Sequence, residues 1–416
     1  VLTVPQAVAE ITKDIAPRAV ERVALLDSLG RVLARDAVAR YTLPQWDNSA
    51  MDGYAVRATD IEGATAEQPV VLPVLETIAA GAFASRALRA GETMRIMTGA
   101  PLPEGADTVV RVEDTDGGIE RVAIRNTRDT RKNIRPRGED FREGSTVIAA
   151  GTPLAAAQLG VLASLGYGEV DVHRRPVVAI AGSGDELVDI DQFDEVIAGK
   201  KIVASNRYTL DALVRQAGGI PRHLGNAADT PESLRAVLEQ SRGADMLVTS
   251  AGASVGEYDY TRQVLESLGA DLRFWRVRMR PGAPLGFGTL DGMPWIGLPG
   301  NPVSAMVTFE LFARPVIRRM LGHIRLFRRP VPAVLDEPVN IGAKLMHFLR
   351  AITRVRDDGT LAVRLTGPQG SGILTSMSQA NALLIVPEDR SRVEAGERLN
   401  ILPLAEDAQL SENFSL

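Results

Sequence analysis

The sequence predicts a multidomain chain of α/β and β architecture, in which an α/β domain with a largely parallel sheet is flanked by β-rich segments. Three observations predict it. From Arg175 to about Gly322, apolar strand-like runs alternate with helix-spaced runs, the pattern of parallel strands joined by crossover helices. From 41 to 136, and again beyond 323, short β-rich runs are instead punctuated by Gly, Pro and Asp. With 416 residues and 45% hydrophobic content, the chain has material for about two to four domains, each with its own core.

Taken in order, residues 1–40 read as helices, since "PQAVAEITKDI" and "ALLDSLGRVLA" each carry an apolar stripe. Residues 137–174 return to mixed structure with one helix and are grouped with 1–40 in a helical and mixed domain. Between them, "QPVVLPVLETI", "ETMRIMTGA" and "DTVVRVEDT" supply strands of an inserted β domain, 41–136. Within 175–322, "PVVAIAG", "MLVTSAG" and "PWIGLPG" are strands, and "NRYTLDALVRQAGG", "PESLRAVLEQSRG" and "YTRQVLESLG" are helices. Residues 323–416 form a C-terminal β domain, and its polar end, "EDAQLSENFSL", is expected as a loose tail.

Composition removes several chemistries. Zero cysteines exclude disulfides, thiolate zinc sites and cysteine nucleophiles, and the scattered His173, His223, His323 and His347 are expected to be structural or on the surface. A net charge of −5 argues against general nucleic-acid binding. The basic run "RNTRDTRKNIRPRG" stays open between a solvated face and an anion site. No apolar run approaches a membrane span, and the N-terminus lacks a basic start followed by an apolar core, so a cytoplasmic protein without membrane contact is expected. Because the chain begins at Val1 rather than Met, a few leading residues are expected to be missing.

Candidate chemistry gathers in loops. "IGLPGNPVSAM" passes from a strand through a Pro-Gly-Asn-Pro turn into a helix, whose unpartnered first amides, with Ser304, suit an oxyanion; an ordinary helix cap is the competing reading. Together with "AGSGDEL" and "TSAGASVGEYDY", this turn belongs at the carboxyl ends of strands, where ligands collect in such sheets. The three loops bring Ser183, Ser254 and Asn301 as polar candidates. Leu187 replaces the third glycine of a dinucleotide fingerprint, and "AGKKI" is no Walker loop. Glu186, Glu257 and Asp259 in these loops, with Asp52 in "NSAMDGYA" and Asp140 in "RGEDF", are oxygen ligands of the kind magnesium takes, or else turn-forming residues. Arg276, Arg278 and Arg280 alternate along "FWRVRMRPGAP", as an apparent strand facing one way that would suit phosphate or another oxyanion, or a solvated edge.

Read together and in order, "DNSAMDGYA", "IMTGAPLPEGADTVV", "RGEDF", "SGDEL", "SVGEYDYT" and "LPGNPVSA" resemble the molybdopterin molybdenumtransferase family, which includes the E domain of gephyrin, over nearly the whole chain. The resemblance implies a three-layer α/β domain, an elongated helical and mixed domain, a C-terminal β-barrel-like domain and a homodimer. It implies insertion of molybdate into adenylylated molybdopterin with release of AMP, aided by Mg2+ or a similar divalent ion. Contact with the adenylyltransferase of the pathway follows from the same likeness.

By motif, Asp52, Asp140, Glu186 and Asp259 are implied in catalysis, and Asp52, Glu186 and Asp259 in holding metal. Asp229 of "AADTPES" is a further match. Arg280, Pro284, Ser304, Arg350 and Ser371 are implied in an oxyanion pocket, with Thr98 and Arg137 near the substrate. Two departures stand out: the usual "KPGKP" is "RPGAP" here, placing Arg280 and Ala283 where lysines stand, and the usual "SGG" is "SAG", with Ala251. They leave one rival, a paralogue of the same fold acting as a non-catalytic binding or scaffold protein.

Overall fold

The structure, a computed structural model, describes residues 1–251, 258–342 and 344–404, with 258 and 259 described by backbone alone. The chain forms two compact units, one built from 35–150 and 156–168, the other from 1–34, 151–155 and the residues from 169 onward. No helix among the described residues is long and apolar enough to cross a membrane.

The smaller unit is built on a five-stranded sheet, ordered Thr108–Arg111, Gly53–Val56, Thr93–Ile96, Val70–Ile78, Arg121–Ile124. The Gly53–Val56 strand, second in that order, shows why these residues make a sheet. Tyr54 and Val56 pack into one apolar cluster and Ala55 into another, the period-two alternation of a strand covered on both faces. A Cβ on Gly53 would lie 2.0 Å from the Val110 carbonyl oxygen, so glycine is required where the strand leaves Asp52.

In the larger unit, a six-stranded sheet runs Ile220–Ala227, Val177–Ser183, Met246–Ser250, Met293–Leu298, Pro284–Leu290, Asp271–Arg276. The first four pair in parallel and the last two join antiparallel, so the expected parallel sheet carries a mixed edge. Apolar cores lie on both faces, Val178, Ile180 and Val248 on one and Ala179, Ala181 and Leu247 on the other, which is the three-layer arrangement. The helix Val4–Thr12 starts in a capping box of Thr3 and Gln6 and buries Val4, Ala7 and Ile11 in the first of these cores.

The second helix expected in the first 40 residues does not form. "ALLDSLGRVLA" instead runs from the end of a strand, Val20–Ala24, through a short 3-10 turn, Leu26–Ser28, to Gly30 at φ +74°. The strand pairs antiparallel with Glu169–His173, and Leu26 is left 81% exposed, so the apolar stripe that imitates a helix never gathers on one buried face.

The C-terminal region is a closed five-stranded barrel. Met346–Val355, Leu361–Leu365, Val331–Leu335, Arg398–Pro403 and Ala382–Val386 pair in sequence, and the last returns to the first. Leu335, Val363, Leu384, Val386 and Ile401 fill its interior. A short strand, Met279–Arg280, pairs with Met346 and His347 and ties the barrel to the α/β sheet by backbone hydrogen bonds.

Between sheet and barrel, Arg318 Nη2 donates to His323 Nδ1 over 3.2 Å, which holds the imidazole neutral. Burial, then Arg318 and Arg314, lower its titration from 6.5 to about 4. A group depressed in the folded state stabilises fully above its unfolded value and loses that contribution as pH falls, here from about 6.5 to about 4. Allowing for screening by solvent, about 2 kcal/mol of unfolding free energy should disappear across that window. His323→Gln should remove this part of the acid sensitivity, as urea unfolding between pH 4 and 7 would report.

Candidate active-site cavities

The carboxyl ends of the Val177–Ser183, Met246–Ser250 and Met293–Leu298 strands open on a cavity of about 310 Å3. Its walls include Ser183, Glu186, Asn206, His223, Asn226, Ser250, Ala251, Gly300 and Asn301. Two glycines leave room for polar side chains of its wall. A Cβ on Gly182 would sit 2.3 Å from Asn226 Oδ1, and one on Gly184, at φ +140°, would sit 2.6 and 2.8 Å from the Glu186 carboxylate oxygens. Glu186 is thus folded back over bare backbone. Beside it, Asp185 and Asp229 accept each other's backbone N–H at 3.2 Å, so Asp229 locks one loop to the next.

Asn206, at the start of the Ser205–Gln216 helix, donates through Nδ2 to Ser250 Oγ at 2.6 Å and to the Gly300 carbonyl at 2.7 Å. One amide therefore binds a strand end to the Pro-Gly-Asn-Pro turn, while its buried Oδ1 has no partner among the described residues. Nothing in "ASNRY" distinguishes this asparagine from an ordinary helix cap. His223 was expected to be structural or on the surface; it lines the cavity.

Ala251 also lines this cavity, at φ +80°, where an L side chain is strained and glycine is not. Ala251→Gly should raise the unfolding free energy by about 1 kcal/mol, the strain relieved exceeding the chain entropy gained by the unfolded state. Urea denaturation would measure it.

A second cavity, of about 680 Å3, lies between the sheet and the barrel and shares Asn301 with the first. Arg280, Pro284, Ser304, Arg350 and Ser371 all line it, so the structure brings the expected oxyanion set together. Ser304 is 4% exposed in the first turn of the Pro302–Thr308 helix. Asn301 makes no side-chain cap there, and the Ser371 carbonyl accepts from Val303 N at 3.2 Å.

Arg350 is fully buried. Its Nη2 donates to the Gly370 and Pro368 carbonyls (2.8 and 3.4 Å), Nη1 to the Gln369 carbonyl (3.2 Å) and Nε to Ser376 Oγ (2.9 Å). Burial lowers its titration. Among the described residues no carboxylate forms an ion pair with it, so its positive charge stands in a polar cage without a matching anion.

The three alternating arginines are only partly as expected. All three are exposed while Val277 and Met279 are buried, yet the strand breaks: Arg276 ends the α/β edge strand, and Arg280 pairs with the barrel. Two sheets claim one run. Arg278 forms an ion pair with Glu388 at 2.5 Å, and Arg276 lines neither cavity.

Four expected residues lie in the smaller unit. Asp52 accepts from Thr98 N and Oγ1, both at 2.7 Å, and these two bonds hold its carboxyl below the usual range. Arg137 N donates to Asp47 Oδ1 at 2.7 Å, and Asp140 is exposed in the next turn. In the basic run, Arg128 is bound bidentately by Asp114, which commits its charge within the unit. Ser254 and Glu257, the Asp259 side chain and the C-terminal tail lie outside the described residues. Among the described residues no three acidic or imidazole groups gather as a metal cage.

Residues 2–166 match the MoeA N-terminal region (domain I and II), 179–319 a probable molybdopterin binding domain, and 332–404 the MoeA C-terminal region (domain IV). Molybdopterin molybdenumtransferase 2 of Mycobacterium tuberculosis is 40% identical over 405 residues, 96% of this chain and 98% of that protein. The molybdopterin molybdenumtransferase of Bacillus subtilis is 36% identical over 392 residues, 93% and 90% of the two chains. The crystal structure of the molybdopterin biosynthesis MoeA protein from Pyrococcus horikoshii OT3 superposes with a TM-score of 0.84 at 28% identity, covering 97% of this chain and all of that one.

Proposed function

Because the chain belongs to the MoeA family of molybdopterin molybdenumtransferases, enzymes of molybdenum cofactor biosynthesis, we propose that it inserts molybdate into adenylylated molybdopterin and releases AMP. The observation that carries the reading is the pair of cavities meeting at Asn301. One is floored by glycine loops and suits the nucleotide-bearing substrate; the other holds the unmatched charge of Arg350 beside Arg280 and Ser304 and suits the tetrahedral oxyanion.

In this reading Asn206 fixes the loops around the substrate, Asn301 stands on the wall common to both cavities, and Arg280, Ser304 and the Arg350-braced Ser371 orient molybdate. Ser183, Asn226 and Asn301 bring oxygen donors to the cavity that Glu186 lines, beside the imidazole of His223, and such oxygens suit a hard ion that keeps phosphate and water among its ligands. Mg2+ or a similar ion, held by Glu186 and substrate phosphate, would supply positive charge to the phosphoanhydride. Asp52, Asp140 and Asp259 are proposed as further catalytic carboxylates, each open to its own alanine variant. The same reading has the protein act in the cytoplasm as a homodimer that takes its substrate from the pathway's adenylyltransferase. No finding favours the non-catalytic alternative.

The test is turnover of the purified chain with adenylylated molybdopterin, molybdate and magnesium. Molybdate-dependent AMP release is the expected result. A folded protein that binds the substrate and releases no AMP would sink the proposal.

A further inference from the structure

We infer that His223, oriented by Asp211, is a further substrate-contacting residue of the glycine-floored cavity, donating a hydrogen bond to the anionic phosphate of the bound ligand. The inference rests on the reading of that cavity as the nucleotide-substrate site. Its starting point is placement. His223 lies on the edge strand Ile220–Ala227, level with Ile180 of the neighbouring strand; Ala181 then pairs with Gly225, so Leu224 is an extra residue, a bulge directly after the histidine. Gly225 follows at φ +89°. Such bulges bend a strand and re-aim its side chains, and here His223, Gly225 and Asn226 all line the cavity.

Among the described residues of the wall, His223 is the group left to meet an anion. Among the described residues, three ionisable ones line the cavity: Glu186, Arg207 and His223. Glu186 is negative, and the Arg207 guanidinium is bound to the Asp189 carboxylate. On the Ser205–Gln216 helix packed against the strand, Asp211 accepts from Arg215 Nε at 2.6 Å and contacts His223 Nε2 at 2.8 Å. Arg222, beside His223 on its own strand, turns its guanidinium to the carbonyls of Gln240, Ser241 and Arg242. The single charge of Asp211 is already matched by Arg215, so a proton on His223 leaves the group Arg215, Asp211, His223 with one net positive charge at the cavity wall.

The hydrogen-bond geometry says which nitrogen is available. An ionised carboxylate only accepts, so Nε2 carries the proton that faces Asp211. Nδ1 has no partner among the described residues. Neutral His223 therefore offers a lone pair, which a phosphate oxygen repels; protonated His223 offers a charged N–H, which a phosphate accepts. Binding a phosphate ester at this wall selects the protonated ring, so this contact is stronger at low than at high pH.

The experiment is calorimetric titration of the full chain with AMP at pH 6 and pH 8, in buffers of different ionisation heat, with adenosine as the phosphate-free probe. The phosphate of AMP titrates in the same range, so wild type is compared with His223→Gln at each pH. The expected result is a wild-type advantage of about tenfold at pH 6, the size of one charge-assisted hydrogen bond, shrinking toward none at pH 8. Proton uptake on binding AMP should be larger in wild type than in the variant, and adenosine should show no such difference. Asp211→Asn, which keeps a partner for Nε2 but removes the charge that favours a protonated ring, should reduce both the advantage at pH 6 and the proton uptake, changes that a purely structural role would not produce. Equal AMP affinity and equal proton uptake in wild type and His223→Gln at both pH values would overturn the role of His223 while leaving the cavity a nucleotide site. If wild type binds no AMP at either pH, the reading of the cavity fails and the inference with it.

Discussion

Arg350→Met is expected to lower the unfolding free energy by about 3 kcal/mol and to reduce AMP release by about a hundredfold or more. Methionine fills comparable space, so the loss is of hydrogen bonds rather than volume. The carbonyls of Pro368, Gln369 and Gly370 and the Ser376 hydroxyl would lose their donor inside the protein, at about 1–3 kcal/mol for each acceptor left bare. The loop that presents Ser371 to the larger cavity would lose its brace at the same stroke. Arg350→Lys should recover little, since a single ammonium cannot fan out to four acceptors. Urea unfolding and an AMP-release assay measure the two effects; unchanged stability in the methionine variant would contradict the bracing role.

Glu186→Gln is expected to give the opposite combination, with AMP release falling by about 10²–10³ and stability unchanged within about 0.5 kcal/mol. Glu186 is exposed at the cavity, so neutralising it removes charge and little packing. Gly184→Ala offers a second route to the same loss, because its methyl group would collide with the carboxylate folded over it. That variant should also lose stability, since alanine is strained at φ +140°. Near-normal turnover in folded Glu186→Gln would remove this residue from the chemistry.

The α/β sheet is legible in the sequence because its strands are short apolar runs bounded by Gly and Pro, and the helices between them keep a 3.6-residue stripe. Both signals are local. "ALLDSLGRVLA" misleads for the complementary reason: its fate is set by pairing with Glu169–His173, a partner that no window around residue 25 contains. Likewise the alternation of Arg276, Arg278 and Arg280 is correct as a pattern of exposure, but the break that hands Arg280 to the barrel depends on Met346 and His347.

The site divides along the same line. Ser183, Glu186, Asn301 and Ser304 sit in or beside loops whose glycine and proline content announces them. Arg350 and Ser371 come from the family resemblance; no spacing rule connects an arginine in a barrel strand with carbonyls of a later loop. Asn206 and His223 carry no signal, because each owes its position to contacts made across the fold.

Asn301 has one side chain to offer to two cavities. An occupant that fixed its rotamer on one side would set the donor and acceptor presented to the other, so under the proposed function the two ligands would be thermodynamically coupled through a shared wall. Such coupling would be reciprocal: whatever factor molybdate applied to the affinity for the nucleotide-bearing substrate, that substrate would apply to the affinity for molybdate. At equilibrium the order in which they arrive leaves no trace. A chain that changed Asn301 to improve its grip on one ligand would alter its terms with the second, which ties the two halves of the site together in mutation as well as in binding.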